Sequence, residues 1–216
     1  MLLFKDYLKE RLKKQLPGFQ SQVNMAPQPL DKQRERYFQP RKDSRLSGVL
    51  VPLFPNEDNM LEIILTLRSD DINHGGQISF PGGGAVDSEN AVEAALREAN
   101  EEIDLQKEDV EIVGELSSLY VRRSNNLVHP VVGFLGHKPS LSPDPTEVEE
   151  VFTVKLNDLT ADCNLRVEKW DLLNKTYEVP FWNIHRVPLW GATAMMLSEL
   201  VELYRQYLKI ISNGQK

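Results

Sequence analysis

The sequence lacks several features that would announce its chemistry. Of its 216 residues one is a cysteine, Cys163. A lone thiol cannot close an internal disulfide, so a reducing, cytoplasmic setting is expected. No run of about eighteen apolar residues occurs, so no transmembrane helix and no membrane partner are expected. The opening MLLFKDYLKERLKKQL alternates apolar and charged residues. It lacks the unbroken apolar core of a signal peptide and reads as an amphipathic helix. The histidines His74, His129, His137 and His185 show no HxH or HExxH spacing, which argues against a zinc hydrolase. No GxxxxGK[ST] phosphate loop and no internal repeat are present. The formal net charge of −7 weighs against a nucleic-acid partner while permitting a local basic pocket.

What is present suits one well-buried domain, at 41% hydrophobic and 26% charged residues. Residues 1–46 read as a prelude, a helix followed by a polar arm rich in proline and glutamine. From residue 47 to 216 the pattern becomes that of a folded domain. GVLVPLF (48–54) and MLEIILTLR (60–68), separated by PNED, read as a hairpin. VEIVGELSSLYV (110–121), LVHPVVGFLG (127–136), EEVFTVKL (149–156) and two proline-marked stretches within 177–190 read as strands. Helices are expected over 91–103 and 191–212. The order gives an α/β domain with a mixed sheet.

The 91–103 helix carries an oddity. Val92, Ala95, Leu96, Ala99 and Ile103 share one face, while Glu98, Glu101 and Glu102 crowd beside it at the C-terminal end. Like charges three and four apart cost about 0.2–0.5 kcal/mol per pair, and the macrodipole there favours cations. Only Arg97 is near enough in sequence to offset them. Such a cluster suits a hard divalent cation held by carboxylate oxygens. Upstream, FPGGGAVDSE (80–89) places Gly82, Gly83 and Gly84 where a backbone could approach a ligand closely. Asp87 or Ser88 is expected to cap the helix, and Glu89 and Arg97 could close an ion pair between loop and helix.

Gly83, five residues, Glu89, seven residues, then Arg97-Glu98-x-x-Glu101-Glu102 has the spacing of the Nudix box, and the chain resembles the Nudix hydrolases. The resemblance implies a Nudix-type α/β/α sandwich with a mixed β-sheet. It also implies hydrolysis of a nucleoside diphosphate derivative at its diphosphate with Mg²⁺ or Mn²⁺. By analogy Glu98 and Glu102 would be the principal metal ligands, Glu101 would share a second ion, the Gly83 carbonyl would complete the shell, and Glu89 and Arg97 would orient them. The general base varies across the family; Glu147, Glu149 and Glu150 in TEVEEVF are candidates outside the box. Two positions depart from the pattern: Ala99 stands where a bulky aliphatic residue is usual, and Asp104 where glycine is usual.

ILTLRS (64–69) followed by GQISFPGG (76–83) resembles the segment that precedes the box in coenzyme A pyrophosphatases. The implied function is cleavage of coenzyme A or acyl-CoA to 4′-phosphopantetheine and adenosine 3′,5′-bisphosphate. ADP-ribose or NADH hydrolysis is the same-class alternative, and a non-catalytic Nudix-fold binding domain the other. The arginine that this segment should carry between Arg68 and Gly76 is missing, replaced by DDINHG (70–75). Arg68, Arg122 and Arg123, together with Gly82 and Gly83, are therefore the expected substrate contacts. The oligomeric state stays open, a homodimer among the options.

Overall fold

The computed structural model describes residues 3–30, 39–70, 75–172 and 174–213. Along the chain run α1 (Phe4–Arg11), α2 (Phe19–Gln22), β1 (Gln28–Pro29), β2 (Arg45–Pro55), β3 (Leu61–Arg68), β4 (Ile78–Ser79), β5 (Gly82–Gly84) and α3 (Ala91–Ile103). There follow β6 (Glu111–Glu115), β7 (Leu119–Val121), β8 (Asn126–Phe134), β9 (Val148–Lys155), α4 (Leu156–Thr160), β10 (Leu165–Leu172), β11 (Lys175–Trp182) and α5 (Gly191–Asn213).

The central sheet runs β4-β3-β2-β8-β6, with β5 added on β2, β7 on β8 and β9 on β3. β2 pairs with β8 in parallel and with β3 and β5 antiparallel, so the sheet is mixed. The 48–54/60–68 hairpin forms as the turn chemistry implies, with Leu53 opposite Ile63.

β2 alternates its faces. Leu50 and Phe54 join Ala95, Ala99 and Ile103 of α3 in one core. Val51 and Leu53 join Leu197, Leu200 and Val201 of α5 in the other. Apolar burial on both faces makes the three layers, at about 25 cal/mol for each Å² removed from water. Gly48 lets α3 sit close, since a Cβ there would strike the Ala91 carbonyl. The N-terminal helix packs on the α5 side, where Phe4 and Leu8 are buried and the Phe4 ring meets Tyr204 edge-on at 4.9 Å.

Two local expectations are corrected. The 110–121 stretch is two short strands, β6 and β7, with Leu116–Ser118 between them. The second proline-marked stretch reduces to one bridge, Leu189 opposite Trp182. β10, which shows no strand pattern in the sequence, pairs along its whole length with β11, and β1 adds to make a separate three-stranded sheet.

Candidate active site

The triple glycine is a strand. Gly82, Gly83 and Gly84 pair with Val49, Gly48 and Ser47 of β2. Glycine at 83 lets the Glu98 carboxylate lie against the strand, in the place a Cβ would fill. The helix behind it begins at Asn90, whose side chain accepts from Val92 N and Glu93 N while Glu93 bonds back to Asn90 N. This capping box corrects the expectation of Asp87 or Ser88. Asp87 instead occupies a left-handed position, φ 48°, inside the loop.

Arg97 ties loop to helix. Its guanidinium reaches both Glu89 oxygens, at 2.8 and 3.0 Å, and the Gly84 carbonyl at 3.0 Å. Its remaining nitrogen lies 2.9 Å from Glu98 and 2.9 Å from Glu101. Glu89 is thereby held below the usual carboxylate range, by Arg97 first and by the Val86 amide second. The loop-to-helix pair foreseen from the sequence is thus one part of a larger clamp.

Glu102 is the exception in this acidic row, at 2% exposure. Its Oε2 accepts from Gly82 N at 3.1 Å, and its Oε1 lies 3.6 Å from Arg68. Burial pushes its carboxyl up to about 7, against the pull of the Gly82 amide and Arg68. Burial likewise raises Glu98, opposed by Arg97. Arg68, Glu98, Glu102 and the Gly82–Gly83 backbone therefore meet at one place.

The other expected residues divide. Glu147 reaches the acidic centre electrostatically, since its charge raises both Glu98 and Glu102. Glu149 and Glu150 turn to Arg186, at 2.8 and 2.9 Å. Arg122 and Arg123 lie exposed on the turn between β7 and β8. They line a cleft of about 1000 Å³ that also takes in Arg68 and Gly82–Gly84. His74 falls outside the described residues.

Sequence reasoning missed much of that cleft. Arg45, Pro29, Lys175, Tyr177 and Trp190 also line it. Only strand alternation on β2 could have nominated Arg45. β10 gives no signal in the sequence, because Arg166, Glu168, Lys169 and Asp171 break its apolar period.

The donors suit a hard divalent ion. Three carboxylates and a backbone carbonyl supply only oxygen. Two of them, Glu98 and Glu102, are raised by burial and gain from an arriving cation. Among the described residues no three such side chains already converge as a closed cage, and Arg97 holds Glu98 and Glu101.

A family model for the NUDIX domain matches residues 44–175. The chain is 33% identical over 188 residues to Nudix hydrolase 15, mitochondrial, of Arabidopsis thaliana, which takes in 83% of this chain and 62% of that protein. Over 113 residues it is 43% identical to a peroxisomal coenzyme A diphosphatase of Mus musculus, covering 51% of this chain and 47% of the mouse protein. A solved Nudix hydrolase from M. smegmatis shares the fold, with a TM-score of 0.56 over 80% of this chain and 96% of its own, at 16% identity. The chain thus spans about three fifths of the length of its plant relative. With the box, the sandwich and the matched region in agreement, the chain belongs to the Nudix hydrolases, a family that uses divalent metal ions to cleave diphosphate bonds.

Proposed function

We propose that this chain is a Mg²⁺- or Mn²⁺-dependent diphosphatase acting on coenzyme A or acyl-CoA. The products are 4′-phosphopantetheine and adenosine 3′,5′-bisphosphate. The observation that carries the reading is a cleft with two chemical ends. At one end Arg68 and the Gly82–Gly83 backbone meet the buried Glu102. Toward the other, β2 brings Arg45 to the cleft wall, and Asn126, its partner on β8, follows the turn that carries Arg122 and Arg123. A diphosphate fits the first end, and a second phosphoryl group fits the second. Net charge elsewhere is negative, so this cationic grouping is selective. The 43% identity to a coenzyme A diphosphatase supports the same substrate class.

A bound divalent ion would neutralise diphosphate oxygens and acidify a water. The chain's residues do the rest. Glu98 and Glu102 would hold the ion from behind the glycine strand, with Glu101 and the Gly83 carbonyl beside them. Arg97 and Glu89 fix that strand and the loop after it. Arg68 would meet a phosphoryl oxygen. Glu147 would take the proton of the attacking water as its oxygen bonds to phosphorus. The bridging P–O bond then breaks, and the leaving phosphate departs with its electron pair.

The test is metal-dependent phosphate-ester release from coenzyme A, acyl-CoA, ADP-ribose and NADH. Coenzyme A or an acyl-CoA should give the highest kcat/KM. Faster turnover of ADP-ribose or NADH would move the assignment to that group. Absence of turnover with every substrate and metal would leave a binding domain.

A further inference from the structure

Among the described residues, one buried side-chain polar atom has no hydrogen-bond partner, the hydroxyl of Ser47. Buried polar groups are nearly always paired, so an orphan asks for a reason. Ser47 is 4% exposed and lines the cleft. It stands on β2 between Arg45 and Val49, which line the same cleft, and alternation puts all three side chains on one face of the strand. Across the ladder its neighbours are Gly84 and Val128, and neither side chain can bond to a hydroxyl.

Its position along the strand matters. Gly48 and Gly83 turn toward α3 and the Glu98 carboxylate, on the other face of the sheet. On the cleft face Val49 lies opposite Gly82, whose amide donates to Glu102. Ser47 is two residues outward from Val49, about 6.6 Å, and Arg45 two further. The diphosphate end, the hydroxyl and the cationic end therefore succeed one another along one strand.

We infer that Ser47 is a specificity-determining residue whose hydroxyl bonds an oxygen on the sugar adjoining the diphosphate of the substrate. The oxygen is either a ribose hydroxyl or a phosphate ester carried on that ribose. The inference rests on this cleft being the substrate site proposed above. An unpaired hydroxyl is a liability in the empty protein and an asset once a ligand oxygen reaches it. Stability and binding should then respond to its removal in opposite directions, which a structural hydroxyl would not do.

The experiment compares Ser47→Ala and Ser47→Thr with the unaltered protein. Melting temperature is measured without ligand. Steady-state constants are measured on coenzyme A, 3′-dephospho-CoA and ADP-ribose. Ser47→Ala should melt at the same or a higher temperature. Its KM should rise roughly tenfold, the worth of one hydrogen bond to a charged or polar ligand group, with kcat changed little. Ser47→Thr, which restores the hydroxyl, should recover most of the affinity. A rise with all three substrates identifies a ribose hydroxyl as the partner. A rise confined to coenzyme A identifies the phosphate ester. A lower melting temperature in Ser47→Ala, or an unchanged KM on whichever substrate the enzyme turns over, overturns the inference. Turnover of ADP-ribose but not coenzyme A would end the coenzyme A assignment and still test Ser47, because ADP-ribose carries the same ribose-diphosphate junction.

Discussion

Arg97 grips Glu89 through both carboxylate oxygens, at 2.8 and 3.0 Å, and with the same guanidinium reaches Glu98 and Glu101. In sequence Arg97 alone lies near enough to offset the acidic helix end. The structure offsets it with one planar side chain, whose own proton is held more tightly than usual, by Glu89 first. Lysine cannot reproduce a two-pronged bond. Arg97→Lys should lower kcat at least tenfold by loosening the loop, and cost roughly 1–3 kcal/mol in denaturant unfolding for the lost charge-assisted bonds. An unchanged kcat would show that the loop keeps its place without the clamp.

The raised carboxyl of Glu102 makes a pH prediction for the metal-free protein. Its folded value of about 7 lies above the ordinary 4.5. Between those values the folded state binds more protons than the unfolded one. The protonated group's advantage is fully present below pH 4.5 and is lost as pH rises through 7, on the order of 3 kcal/mol across the window. Chelator-treated protein should therefore lose stability over that range, and Glu102→Gln should flatten this contribution. The same variant should nearly abolish turnover while keeping the fold. In the unaltered protein at pH 8, Mg²⁺ or Mn²⁺ should raise the melting temperature, since the ion binds the folded state alone. Turnover within a few-fold in Glu102→Gln would remove this glutamate from the site.

Asp104 stands at φ 56°, ψ 31°, the left-handed residue that ends α3. Glycine takes that conformation with less strain, a gain of up to about 1 kcal/mol. The Asp104 carboxylate also accepts from the Gln106 side chain at 2.7 Å, a contact invisible in the sequence. Because that bond is exposed, Asp104→Gly should end within about 0.5 kcal/mol of neutral. A loss above 1 kcal/mol in thermal unfolding would mean that the Gln106 contact matters more than the backbone.

What could be read in advance follows from the range of the interactions. The α3 boundaries, the first hairpin and the Glu89–Arg97 pair depend on residues close in sequence, so periodicity, turn chemistry and charge signs expose them. Ser47 beside Gly84, Arg45 beside Asn126, and Glu147 near Glu98 depend on strand pairings across tens of residues. No local pattern encodes these. β10 escaped notice because its side chains are almost all exposed, and a strand with no buried face leaves no alternation to detect.

Glu199 on α5 belongs to the same class of long-range contact. It is fully buried and accepts from Gly18 N at 2.6 Å, Ser117 N at 2.8 Å and Ser117 Oγ at 2.9 Å. It thereby pins the N-terminal arm, whose Pro27 and Pro29 line the cleft. Glu199→Gln puts an amide donor among donors and should cost roughly 1–3 kcal/mol. If the arm loosens with it, KM should rise several-fold while kcat holds. A stability loss with unchanged KM would separate the arm from substrate binding.

Glu147, Glu149 and Glu150 follow one another closely in sequence, and nothing in the sequence ranks them. Their surroundings do. Glu149 and Glu150 are engaged by Arg186, and Glu150 also faces His185 at 3.4 Å. Those bonds tie both carboxylates to Arg186. Glu147 instead adds its charge to the field at Glu98 and Glu102, and its own carbonyl accepts from Ser69 N, one residue beyond Arg68. Its charge is therefore the one of the three that bears on the ligands of the proposed ion. General bases contribute about 10²–10⁴-fold to rate. Glu147→Gln should lower kcat by that order with KM nearly unchanged, while Glu149→Gln and Glu150→Gln stay within a few-fold. Raising the pH should not restore Glu147→Gln unless hydroxide replaces the lost base, in which case its rate should climb with pH where the unaltered enzyme is flat. A full-rate Glu147→Gln with a flat profile would return the role to a box glutamate, with Glu101, the most exposed of the three, next to be tested.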